Sequence, residues 1–209
     1  MGVMLRVKGR WACFTRPELK VEMVTYDVMT PTAAKAILGC IYRKPEMEWV
    51  VDGIHVINPI KTITLMRNGI TETISSRNVL RGKQIPFDVS SMRDQRNATI
   101  LYKVDYVIKA HFDVFPGSED AAKHYCMFTR RASQGQCFRH PYFGCREFSV
   151  DSFELVKEIP PSSLKGTMQL GYMIHSFDHE RDDHPAFFNA ILEDGYLKVP
   201  PLKDPRVKR

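Results

Sequence analysis

Lys109 and His111 stand two residues apart in a segment, 99–115, that alternates with period two over a long run. Residues i and i+2 of a strand point the same way. Tyr102, Val104, Tyr106, Ile108, Ala110, Phe112 and Val114 then share one face. Lys103, Asp105, Lys109, His111 and Asp113 share the other. A fixed ammonium beside an imidazole suits acid–base chemistry on a phosphodiester. Histidine can act as acid or base near neutral pH, and lysine stabilises developing negative charge. Tyr42, at the end of an expected helix, adds a hydroxyl able to orient or deprotonate an RNA 2′-OH. RNA carries its own nucleophile, so such a centre requires no metal. The plainer alternative is a Lys and His that meet only water, or a His111 bonded to Asp113.

Two other clusters carry less. His175, Asp178, His179, Asp182, Asp183 and His184 fall within ten residues, and the His-x₃-His spacing could chelate zinc on a helix. Residues 176–183 read as a polar loop instead. Cys137, His140 and Cys145 match no zinc-finger spacing, and cysteine is often a small buried hydrophobe. P-loop, GxGxxG and GxSxG motifs are absent, as is the RRM aromatic signature. No cofactor and no metal is expected.

The elements that must position these residues are legible in outline. Residues 5–14 alternate and read as a first strand. Thr30-Pro31 opens a helix to about Tyr42, with Ala34, Ile37, Leu38 and Ile41 as its apolar stripe and Pro45 forbidding continuation. Residues 48–57 form a second strand. Residues 60–74 read as a hairpin turning at Asn68-Gly69. The polar stretch 75–97, with Arg77, Arg81, Lys83, Arg93 and Arg96, reads as a mobile basic loop. The long strand follows, then a helix over 118–134 capped by Ser118, then a strand over 147–156. The order β-α-β-(hairpin)-β-α-β predicts an α+β, ferredoxin-like (RRM-like) domain over 1–158. After Pro160-Pro161, short strands at 167–176 and 195–199 and a brief helix at 186–192 predict a small β-rich C-terminal domain over 159–209.

The 209 residues allow a sizeable core, with 44% hydrophobic and 26% charged side chains. No apolar run approaches the roughly 20 residues that span a bilayer, and no secretory signal opens the chain, so a cytoplasmic location and no membrane partner are expected. Five scattered cysteines with no CxxC argue against a disulfide framework. A net charge of +6 raises the prior for a polyanion. Non-specific double-stranded DNA binding is compatible with it as well. Arg16, Lys20, Arg43, Lys44, Arg130, Arg131, Arg139 and Arg146 are the expected phosphate contacts.

Residues 25–45, TYDVMTPTAAKAILGCIYRKP, closely resemble the CRISPR-associated Cas5d family of subtype I-C. WVVDGIHVINPI, YVIKAHF, GTMQLGYMIHSF and EDGYLKVP agree with it, so the resemblance covers most of the chain. It implies a metal-independent endoribonuclease that cuts CRISPR repeat RNA in the precursor transcript and leaves a 2′,3′-cyclic phosphate. It further implies that the protein stays on the 5′ handle of the guide RNA, beside the backbone and large subunits of the interference complex. Other members of the wider superfamily only bind the handle. The family's catalytic tyrosine lies in IY-x-KP, Tyr42 here, and its lysine and histidine in KAHF, Lys109 and His111 here. Arg43 stands where relatives tend to carry Trp, which implies a difference in handle recognition.

Overall fold

The structure, a computed structural model, describes residues 2–19, 21–71, 74–82, 88–117, 120–178 and 184–208. In chain order the elements are β1 (Gly2–Ala12), β2 (Met23–Val24), α1 (Pro31–Ile41), β3 (Met47–Val56), β4 (Thr62–Ile70), α2 (Ser76–Leu80), β5 (Arg93–Val114), α3 (Ala121–Ser133), β6 (Ser152–Leu155), β7 (Thr167–Asp178), β8 (His184–Glu193), β9 (Tyr196–Lys198) and β10 (Val207–Lys208). This is an α+β protein, mostly antiparallel sheet with few helices. The strands join in the order β10-β8-β9-β3-β5-β1-β6, with β2 and β4 on β5 and β7 on β8.

β5 is the spine, 22 residues long. Its first half pairs with β4 and, through one short parallel rung, with β2. Its second half lies between β1 and β3. The change of partners falls near Lys103, whose φ of +54° puts it in the left-handed region. The local kink lets Asn58 Nδ2 donate to the Lys103 carbonyl at 2.9 Å.

The Asn68-Gly69 hairpin is not formed. β4 runs straight through both residues, which pair with Gln95 and Asp94. A β partner offering nine aligned rungs outcompetes the local turn preference, and Gly69 is not among the glycines of positive φ that a type I′ turn demands. The expected basic loop is accordingly shorter. Residues 76–80 are helical and β5 already begins at Arg93; Lys83 lies outside the described residues. The expected helix over 186–192 is instead strand β8, in which Ala186, Phe188, Ala190 and Leu192 are buried and the residues between them more exposed, the period of a half-buried strand. The C-terminal strands continue the same sheet, because β9 pairs with β3 from Gly53 to His55.

α1 begins as its sequence predicts. Thr30 Oγ1 accepts the Ala33 N–H at 3.3 Å and Pro31 occupies the first turn. α3 is capped by Asp120, whose Oδ1 accepts from Ala122 N at 3.1 Å; Ser118 lies outside the described residues. Both helices cover one sheet face. Trp49 of β3 packs between Phe112 of β5 and Phe128 of α3, with ring centroids 5.3 and 4.7 Å apart. Such aromatic pairs are worth about 0.5–1.5 kcal/mol beyond their area. The other face is polar. There Asp105 is buried, and Arg6 grips it with Nε and Nη2 at 3.0 and 2.8 Å.

Truncating Asp105 leaves the Arg6 guanidinium without its bidentate acceptor in a site that admits little water. Asp105→Ala is expected to lower stability by about 2–3 kcal/mol, the scale of charged hydrogen bonds. Urea unfolding measures it, and an unchanged midpoint contradicts the assignment.

Candidate active site

The last turn of α1 sets the first part of the site. A helix leaves its final carbonyls without intrahelical donors. Here Leu38 O accepts from Tyr42 N at 3.0 Å, Cys40 O from Phe138 N at 2.9 Å and Arg139 N at 3.2 Å, and Ile41 O from Arg131 Nη1 at 3.1 Å. Tyr42 itself leaves the helix in an extended conformation, and its carbonyl accepts from Trp49 Nε1 at 2.8 Å. The Tyr42 side chain is thereby aimed at α3. Its hydroxyl lies 2.9 Å from Nδ1 of His124. His124 is fully buried, and its Nε2 has no hydrogen-bond partner among the described residues. Arg131 lies over the Tyr42 ring, 5.3 Å from its centroid. Lys123 is the exposed neighbour of His124 on α3.

Lys109 and His111 do share one sheet face, as alternation predicts. His111 is adjacent to Phe112, whose ring touches the His124 ring at a centroid distance of 6.2 Å. Neighbours on a strand point to opposite faces. His111 therefore projects away from the helix layer that holds Tyr42 and His124. The structure brings Lys109 and His111 together and separates Tyr42 from both. The partner of His111 is Asp52, whose Oδ1 accepts from Nδ1 at 2.8 Å, while Asp113 Oδ1 is 3.9 Å from Nε2. Asp52 reaches it because the β3–β5 register shifts between Val51 and Gly53 and leaves Asp52 as the extra residue of a bulge. Gly53 pairs with Lys109 on one side and Lys198 on the other. A Cβ on Gly53 would collide with the Tyr196 ring. That ring stacks on His55 at 4.3 Å. Burial, then the Lys109 charge, holds His55 below the ordinary imidazole range. Burial, then Asp52, pushes the Tyr196 phenol up.

The expected phosphate contacts divide into two groups. Arg43, Lys44, Arg130, Arg131, Arg139 and Arg146 belong to the end of α1, the end of α3 and the loop after it. None of these six forms an ion pair among the described residues. Arg16 is engaged elsewhere, with Asp27 at 2.9 Å, Glu18 at 3.5 Å and the Tyr26 ring beneath it. Lys20 lies outside the described residues. So do His179, Asp182 and Asp183. His175 sits on strand β7 rather than a helix, and its Nε2 donates to Pro200 O at 2.7 Å.

Sequence reasoning missed His124 and Asp52. A signal for His124 existed. His124, Phe128 and Ala132, spaced by four, are the buried stripe of α3, and an imidazole on an apolar stripe needs a polar partner. Asp52 left no comparable signal, because the bulge that aims it depends on register.

The Lys109 charge is one of two causes acting on His55. Lys109→Gln is expected to raise the His55 pKa while burial still keeps it below the ordinary value, as read by NMR titration. The sign for stability follows. In the window between its lowered folded pKa and about 6.5, the unfolded chain binds more protons, so His55 contributes stability that rises with pH. Lys109→Gln should narrow that window; an unmoved titration refutes the coupling.

A family model for Cas5d, described as CRISPR-associated protein (Cas_Cas5), matches residues 2–200. A CRISPR pre-crRNA endoribonuclease Cas5d from Mannheimia succiniciproducens is 40% identical over 222 residues, covering 99% of this chain and 98% of the relative. One from Thermus thermophilus is 32% identical over 219 residues, covering 95% and 91%. Two solved structures share the fold across the full chain. One is a CRISPR-associated protein with TM-score 0.75 and 23% identity, covering 100% of this chain and 97% of that one. The other is a functionally uncharacterized protein from Streptococcus mutans with TM-score 0.70 and 22% identity, with the same coverage. A full-length family match and two full-length relatives above 30% identity agree, and the chain belongs to the Cas5d family of CRISPR-associated proteins.

Proposed function

We propose that this protein is a metal-independent endoribonuclease that cleaves CRISPR repeat RNA in the precursor transcript. The observation that carries the reading is the Tyr42 hydroxyl 2.9 Å from His124 Nδ1, with Arg131 over the Tyr42 ring. Names of relatives that are pre-crRNA endoribonucleases support the substrate class. The strand order β6-β1-β5-β3, with α1 and α3 as the crossings, supports a ferredoxin-like unit.

The chemistry needs a proton shuttle and positive charge. Tyr42 takes the proton of the attacking 2′-OH, and His124 takes the phenol's. The 2′-oxygen bonds to phosphorus, and the bond from phosphorus to the 5′-oxygen breaks. The pair returns the proton to that 5′-oxygen, leaving a 2′,3′-cyclic phosphate with no net proton change. Arg131 moves from the Tyr42 ring onto a phosphate, and Lys123 adds charge at the phosphorane. Catalytic hydrogen bonds in free enzymes commonly tighten only in the complex.

A second reading keeps His111 as the proton carrier with Lys109 as its cation. It is supported by the Asp52 bond, which orients the ring with Nε2 free to accept. Charge argues for the first reading. Asp52 and Asp113 stand 2.8 and 3.9 Å from the His111 ring and repel a phosphodiester, whereas Arg43, Lys44, Arg130, Arg131, Arg139 and Arg146 form no ion pair among the described residues. After cleavage the protein stays on the 5′ handle of the guide, as a subunit beside the backbone and large subunits of the type I-C interference complex. A handle-binding protein without activity is the remaining alternative. Non-specific double-stranded DNA binding would rest on the same cations.

A labelled repeat hairpin RNA, incubated with protein in excess EDTA, is expected to be cut once. His124→Gln and Tyr42→Phe should slow cutting by about 10²–10⁴-fold, the usual worth of positioned acid–base groups. His111→Ala should retain most of the rate. Loss confined to His111→Ala would move the centre to the open face. Tight binding with no cut would leave the handle-binding role, and loss with EDTA in the wild type would defeat metal independence.

A further inference from the structure

Phe138 is 84% exposed, the most exposed of the large aromatic side chains among the described residues. Water-exposed phenyl rings are hydrated at a cost that burial would recover. This one is also rigidly mounted. Its backbone N–H donates to Cys40 O at 2.9 Å, and the next residue's N–H donates to the same carbonyl at 3.2 Å. The backbone that carries the ring is thus anchored at Cys40 in the last turn of α1, two residues before Tyr42. Beyond it the chain lines a cavity of about 400 Å³ with Arg139, His140, Pro141, Tyr142, Arg146 and Ser149. That lining holds two guanidiniums and no carboxylate. His140 is oriented within it, since Nε2 donates to Val150 O at 2.9 Å.

We infer that Phe138 and this cavity form a subsite for one unpaired nucleotide of the RNA next to the scissile bond. The base stacks on Phe138, and its phosphate sits between Arg139 and Arg146. The inference rests on the endoribonuclease reading for its substrate class. Surroundings favour a base over a protein side chain as the occupant. Ser133, Gln134, Gln136 and Arg139, its neighbours along the chain, are exposed and polar, which disfavours an apolar protein partner. A lone ring flanked by arginine is what single-stranded recognition uses, because every base has a stacking face.

The test is RNA binding by fluorescence anisotropy at fixed salt in EDTA. Phe138→Ala is expected to weaken binding of repeat RNA by about 5- to 150-fold, the worth of one base–aromatic stack. Phe138→Trp should restore it. A scan of abasic substitutions should find one unpaired position whose loss weakens the wild type by a similar factor but leaves Phe138→Ala unchanged, the signature of a direct contact. Matching thermal midpoints check that both variants are folded. Wild-type affinity in Phe138→Ala overturns the inference. So does an equal loss on every abasic RNA, which would mean the ring meets no base. Because this readout needs no cleavage, it stands apart from the His124→Gln result. Failure of either leaves the other intact.

Discussion

Strand pairing along β5 organises the protein. A strand buried in a sheet cannot leave its N–H and C=O groups unpaired. β5 meets the demand with different neighbours along its length, and both edges are paired at 98–99, at 101 and over 106–111. β4 and β2 flank its start, and β1 and β3 flank its end. The left-handed turn at Lys103 is where one arrangement gives way to the other. From that hub the sheet extends through β1 to β6 and through β3 to the C-terminal strands. The crossings α1 and α3 are then obliged to lie on one face, and their ends meet. Site geometry follows from strand pairing before any catalytic residue is considered.

The end of α1 is the second constraint. Three of its carbonyls find donors from outside the helix or its edge, in Tyr42, the 138–139 backbone and Arg131. Each of those bonds satisfies a helix terminus, and each also fixes part of the site. Tyr42 is aimed at α3, Arg131 is drawn over its ring, and Phe138 is held outward. Removing any one partner would expose a carbonyl of the last turn and loosen the tyrosine. A helix terminus and a reaction centre share the same hydrogen bonds here, so stability and positioning are coupled by construction.

Local signals were readable and long-range ones were not. Thr30-Pro31, the apolar stripe of α1 and the alternation around Lys109 and His111 are each written within a few neighbouring residues, and each appears as read. The Asn68-Gly69 turn is an equally local signal, yet it lost to nine rungs with β5, because a long ladder outweighs one turn preference. Residues 186–192 look apolar enough for a helix, but their alternating burial belongs to a strand facing β7. The Tyr42–His124 contact joins residues 82 apart in the chain, and no spacing rule reaches that far. Of the expected trio, Lys109 and His111 were placed side by side by period two. Tyr42 was joined to them from its place at the end of a helix and from its motif, and the sheet lies between.

Two imidazoles within one strand's thickness of each other therefore occupy opposite chemical worlds. His111 faces outward, held by a carboxylate, half exposed, with a second carboxylate near its free nitrogen. Its bond to Asp52 ties β3 to β5. His124 is enclosed, held by a neutral phenol, with Nε2 lacking a partner. Leaving a buried nitrogen unsatisfied costs on the order of 1–3 kcal/mol, and such exceptions in folded proteins call for a reason. The outer histidine is tied to a carboxylate, whereas the inner one, among the described residues, is held only by a neutral phenol.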